Sequence, residues 1–207
     1  MKVFEIFKSL QGESTFQGLP CVFVRLAGCN LRCVWCDTKY AYKGGKEMSI
    51  LQIMEIIKSY KTPLVEITGG EPLLQEEIYN LITKILDNGY RLLIETNGSF
   101  PINRISRKAI KILDIKCPGS GMQGKICWQN LKKLNHKDEI KFVISDYEDY
   151  KWAKSIVKKY DLLKHIVLFS PVCKKDKKLI SSLSEWLLKD NLNVRLQIQL
   201  HKYIGVK

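Results

Sequence analysis

The chain has no apolar run approaching the ~18 residues a membrane-crossing helix requires, and Met1-Lys2-Val3-Phe4-Glu5 places an acid where a secretory leader would be apolar. It has only three histidines, His136, His165 and His201, none at short metal spacing from another ligand. There is no internal repeat of fixed period and no low-complexity linker. Seven cysteines, odd in number and unevenly spaced, do not form a disulfide framework. These absences exclude a membrane span, a solenoid and a disulfide-stapled secreted module, and they point to the reduced cytoplasm. Acids are scarce: 21 against 34 Lys and Arg, a formal charge of +13. Almost all the cations are lysines scattered on expected helix faces, without an arginine-rich or aromatic-interleaved patch, so nucleic acid is not an expected partner. At 207 residues the expectation is one domain spanning 1–207.

What is present is order. Apolar strand-like runs at 2–7, 21–26, 64–67, 91–94, 111–115, 139–144, 165–169 and 194–198 alternate with helical patterns. Ser49 and Gln52 form a capping box before Ile50, Ile53, Met54 and Ile57; a helix from about Gln75 stops at Gly89; Ser145 with Glu148 opens a helix to about Tyr160; another covers 179–188. The crossover at 98–108 contains Gly98 and Pro101 and is expected to be irregular. This rhythm predicts a parallel α/β sheet, an incomplete barrel or an open doubly wound sheet. Most of the strands end in a polar or glycine-rich cluster, and in parallel architectures those ends share one rim, where sites form.

The densest cluster is Gly28-Cys-Asn-Leu-Arg-Cys-Val-Trp-Cys-Asp-Thr38, which puts Cys29, Cys33 and Cys36 within eight residues. Three thiolates suit an iron-sulfur cluster with one iron left open; a structural zinc site or reduced buried thiols would use the same residues, although a closed zinc site needs a fourth ligand. Cys21, Cys117, Cys127 and Cys173 have no short-range partner and are expected to be inert.

The Cys-x-x-x-Cys-x-x-Cys spacing resembles the radical S-adenosylmethionine enzymes, and with Gly69-Gly70-Glu71-Pro72 and both termini the chain is similar to the 7-carboxy-7-deazaguanine synthases of queuosine biosynthesis. That resemblance implies an incomplete, partly opened (β/α)6-type barrel. It implies a [4Fe-4S] cluster on Cys29, Cys33 and Cys36, with S-adenosylmethionine held by Gly70 and by Trp35, Cys36, Asp37, Asn97, Asp114, Ile115 and Lys116. It implies Mg2+ at Thr38, and 6-carboxy-5,6,7,8-tetrahydropterin held by Leu10, Gln11, Gly12, Arg25, Thr68 and His201. The implied reaction is a deoxyadenosyl-radical ring contraction with loss of ammonia. A flavodoxin- or ferredoxin-like reductant and a homodimer are implied as well. Glu13-Ser14 departs from the Glu-Gly of the resemblance, leaving the shape of that loop open. Two alternatives share the cysteine spacing or the thiols: an activase for a glycyl-radical enzyme, and a non-catalytic metal-binding module.

Overall fold

The computed structural model describes residues 1–172 and 177–207; the expected position of Cys173 lies outside them. The chain opens with β1 (Lys2–Leu10) and β2 (Pro20–Leu26), an antiparallel pair in which Phe7 faces Phe23. The short β3 (Lys46–Glu47) caps the outer edge of β1. There follow α1 (Ile50–Ser59), β4 (Leu64–Gly69), α2 (Ile78–Asp87), β5 (Arg91–Thr96), β6 (Ile110–Ile115) and β7 (Glu139–Ile144). The chain ends with α3 (Tyr147–Lys159), β8 (Ile166–Pro171), α4 (Lys177–Lys189), β9 (Arg195–Leu196) and α5 (Leu200–Ile204). All nine strands form one open sheet, ordered β3-β1-β2-β4-β5-β6-β7-β8-β9, and parallel from β2 onward. Among the described residues no helix is long and apolar enough to cross a membrane.

Strand alternation divides the sheet into two faces. Val65, Ile67, Leu92, Ile94, Leu113, Ile115, Ile140, Phe142, Val167 and Phe169 point outward into the main core, where α2 contributes Ile78, Leu81, Ile82 and Ile85. Each such side chain withdrawn from water contributes about 1.5–3 kcal/mol before ordering costs. The concave face has a second, smaller core of Cys21, Phe23, Leu64, Leu93, Ile110 and Ile112. Above it the inward positions turn polar: Arg25, Glu66, Thr68, Glu95, Asp114 and Lys141.

Segment 11–19 crosses the open side of the rolled sheet. It reaches β7 through Thr15, whose N–H and hydroxyl both donate to Glu139 Oε1 (3.0 and 2.5 Å), and the far edge through Gln197 Nε2, which donates to Ser14 O at 2.9 Å. Leu200 N donates to Gly12 O at 2.9 Å, so this segment also seats α5, a helix the sequence reading did not anticipate.

Several boundaries move for identifiable reasons. The capping box at Ser49 and Gln52 forms as expected. The helix expected from Gln75 begins at Ile78, because Gln75 is extended and its amide bonds the carbonyls of Lys2 and Ala27. Asp146, rather than Ser145, caps α3: its carboxylate accepts the Asp149 N–H at 2.8 Å, while the Ser145 hydroxyl donates to Asp149. Residues Trp128–Lys133 form a 3-10 helix, and the last parallel strand is only two residues long, with Gln197 N still donating to Phe169 O at 2.9 Å. The crossover between β5 and β6 contains no α-helix, as its Gly and Pro content predicts.

Candidate active site

A cleft opens at the carboxyl ends of the parallel strands, lined by the three-cysteine loop, by segment 10–14 and by His201 and Lys202 of α5. Of the residues singled out in the sequence, Leu10, Gln11, Gly12, Arg25, Cys29, Cys33, Trp35, Cys36, Asp37, Thr38, Thr68, Gly70, Asn97, Asp114, Lys116 and His201 all line it. Ile115 does not. Its side chain lies in the outer core, since strand alternation turns it away from Asp114, and only its backbone is left for a ligand.

Several bonds fix the cysteine loop. Cys36 N donates to Cys33 O (3.2 Å), Val34 N to Ser120 O (3.1 Å), and Leu31 N points at the Cys29 sulfur (3.4 Å). Burial pushes the Cys29 and Cys33 thiols up, so a metal has to supply the stabilisation of their thiolates. Among the described residues no three His, Cys, Asp or Glu side chains converge closely enough to grip one ion. Thiols that each take a different iron of a cubane stand further apart than thiols closing on a single zinc. Among the described residues no fourth cysteine or histidine joins these three thiols in a single-ion site, a donor set that fits a cluster with one open iron.

Next to it the Gly69-Gly70-Glu71 turn leaves room for a ligand. A Cβ at Gly70 would overlap the Gly28 carbonyl and the Cys29 side chain, so only glycine lets the two loops meet. Glu71 is fully buried and ties this turn to the end of β5: its carboxylate accepts from Leu73 N (3.0 Å), Thr96 Oγ1 (2.8 Å) and Asn97 N (2.7 Å). Burial nevertheless pushes it up to about 7. Asn97 is thereby held beside the loop, with Nδ2 donating to Asn30 Oδ1 at 3.1 Å. Asp114 Oδ2 accepts from Lys116 at 2.8 Å, while its Oδ1 is buried with no donor among the described residues. Burial works against the Lys116 charge, yet Asp114 and Cys33 outweigh it and hold the ammonium in place. These residues fit a zwitterionic nucleoside-like ligand.

The opposite end carries charges that sequence reading passed over. Lys141 Nζ lies 2.6 Å from both Glu13 and Glu95 and 3.9 Å from Asp114. Burial disfavours its charge, but those carboxylates raise it well above the ordinary lysine value. Glu13 also accepts from Gln199 Nε2 (2.7 Å), and Lys202 bridges Gln199 Oε1 (2.7 Å) to Asp37 of the cysteine loop (2.5 Å). His201 lies against Gly12, where a Cβ would overlap its ring, and burial lowers it so that the imidazole is neutral near pH 7. Ser14 takes φ = 61°, the left-handed conformation glycine favours, and so keeps the loop's turn despite its side chain. The readable signal for Glu66, Glu95, Asp114 and Lys141 was a charge at an inward position of an otherwise apolar strand.

Arg25 is partly buried: Nε donates to Glu5 at 3.0 Å, leaving its terminal nitrogens for a ligand, with Phe7 and Tyr40 beside the guanidinium. The Thr38 hydroxyl lies 3.5 Å from the Cys36 sulfur, at the seam between cluster loop and cleft.

Comparison with known proteins agrees with this geometry. The Radical SAM superfamily signature matches residues 24–114. A 7-carboxy-7-deazaguanine synthase of Koribacter versatilis is 45% identical, the match covering 99% of this chain and 96% of that protein. One from Chlorobaculum tepidum is 43% identical, covering 99% and 94%. Among solved structures, QueE from Escherichia coli matches with a TM-score of 0.79 at 25% identity over 97% of this chain and 94% of that one. The S-adenosylmethionine-bound SuiB of Streptococcus suis shares the fold, with a TM-score of 0.60 at 14% identity over 83% and 48%. A three-thiol loop on a partly opened parallel barrel, together with full-length relatives of this similarity, establishes that the chain belongs to the 7-carboxy-7-deazaguanine synthase family of radical SAM enzymes.

Proposed function

We propose that the protein converts 6-carboxy-5,6,7,8-tetrahydropterin to 7-carboxy-7-deazaguanine with loss of ammonia. The observation that carries this reading is a single cleft lined both by the three thiols and by Gln11, Arg25 and His201. Cys29, Cys33 and Cys36 hold the cluster; Trp35, Cys36, Asp37, Gly70, Asn97, Asp114, Lys116 and the Ile115 backbone hold S-adenosylmethionine. When bound, these groups supply one-electron chemistry, the removal of a hydrogen atom from C6 of the pterin.

The chain's own residues do the placing. The Arg25 terminal nitrogens would meet the substrate carboxylate, and the Thr38 hydroxyl would offer a protein oxygen to Mg2+, a hard ion that would offset negative charge on the substrate. Leu10, Gln11, Gly12 and Thr68 border the ring. Glu13 and Glu95, drawn together by Lys141, present carboxylate oxygens to the amino and ring N–H groups of the pyrimidine half. Neutral His201 closes the ring's edge, and segment 11–19 with α5 screens the pocket from water. An acidic flavodoxin- or ferredoxin-like protein supplies electrons to this basic chain, which acts as a homodimer in the reduced cytoplasm, where its six described cysteines stay free.

The test is anaerobic turnover of the reconstituted, reduced enzyme with S-adenosylmethionine and the pterin. Formation of 7-carboxy-7-deazaguanine, faster with Mg2+ and slowed by Thr38→Ala, is the expected result. Absence of that product in cluster-loaded enzyme would defeat the reading.

A further inference from the structure

Glu66 lies on β4 at the floor of the cleft, 4% exposed, and its Oε2 accepts a hydrogen bond from Gln11 Nε2. Gln11, 3% exposed, places its Oε1 on the Glu13 N–H at 3.0 Å. A primary amide has two N–H donors and two carbonyl lone pairs. Gln11 has committed one of each, in opposite senses, and exchanging its oxygen and nitrogen would set N–H against N–H at Glu13. The amide therefore faces the cleft with one N–H and one lone pair in a fixed arrangement.

Among the described residues no cation forms an ion pair with Glu66. Lys141, the cation of that floor, makes its ion pairs with Glu13, Glu95 and Asp114. Burial, with Glu95 and Glu13 nearby, raises Glu66 well above the ordinary carboxylate range, against the pull of Gln11 and Lys141. A carboxyl at an inward position between Leu64 and Thr68 costs stability that an apolar residue would not.

We propose that Glu66 is a positioning residue: it fixes the Gln11 amide so that one of its N–H groups meets an acceptor atom of the bound ring. This rests on the reading that Gln11 touches the substrate. Glu66 acts through Gln11 and need not touch the pterin itself.

The test is a double-mutant cycle on cluster-loaded holoenzyme left oxidised, so that the pterin binds without turnover, with affinity measured by anaerobic isothermal titration. Gln11→Ala and Glu66→Leu are each expected to weaken binding about tenfold. Glu66→Leu placed on Gln11→Ala is expected to add nothing, because its effect runs through the missing amide. Glu66→Gln keeps an acceptor carbonyl and is expected to restore affinity to within about threefold of the parent. Additive losses in the double variant, wild-type affinity in Glu66→Leu, or a tenfold loss in Glu66→Gln would overturn the proposal; the last remains decisive if Glu66→Leu fails to fold. Wild-type affinity in Gln11→Ala would instead overturn the substrate-contact reading, and the proposal with it.

Discussion

Gly12 and His201 show how one absent atom fixes a functional side chain. The ring occupies the space a Cβ would need, and the Gly12 carbonyl accepts from Leu200 at the start of α5. Gly12→Ala is expected to displace the imidazole and lower kcat/KM for the pterin by about 10²-fold, read in steady-state assays, while iron content stays unchanged. Glu13 gives a pH prediction. Burial works against its charge, but the Lys141 ion pair outweighs this and holds the carboxyl below its usual 4.5. A depressed carboxyl contributes stability that is complete above the unfolded value and lost as pH falls through the folded one. The parent should therefore lose unfolding free energy from about pH 5 downward more steeply than Glu13→Gln, measured by denaturant titration. Glu71, raised to about 7 by burial, acts in the opposite sense, costing stability as pH rises from 4.5 toward that value.

At the scale of elements, local chemistry was legible wherever it was self-contained. The Ser49 and Gln52 box closes on itself, with Gln52 N donating to Ser49 Oγ at 3.2 Å and Ser49 N to Gln52 Oε1 at 2.8 Å. Ser49→Ala is expected to cost about 1 kcal/mol in denaturant unfolding and leave turnover per folded enzyme intact, because the cap is remote from the cleft. A boundary was illegible where a long-range partner intervened: Gln75 is drawn out of α2 by its bonds to the carbonyls of Lys2 and Ala27. The same holds for the floor of the site. Cys29, Cys33, Cys36 and the Gly69-Gly70 turn announce themselves by spacing, whereas Glu13, Glu66, Glu95 and Lys141 come from four separate segments and acquire meaning only when the sheet rolls them together.

The whole molecule is a rolled sheet left open, with a strap from 11 to 19 spanning the gap and a last short helix pinned to the cluster loop by Lys202 and Asp37. The alternation of strands and helices made the parallel order readable; it did not distinguish an opened barrel from a flat doubly wound sheet, because curvature is set by contacts such as Thr15 with Glu139 that no periodicity encodes. The strand ends, the thiol loop and the strap thus enclose one chamber, with three thiols on its wall where the proposed cluster would sit. Electron paramagnetic resonance of the reduced, reconstituted protein titrated with S-adenosylmethionine tests this most directly. The account predicts a [4Fe-4S] signal that changes on addition of the cofactor as it takes the open iron. A cluster signal indifferent to S-adenosylmethionine, or bound zinc without acid-labile sulfide, would contradict it.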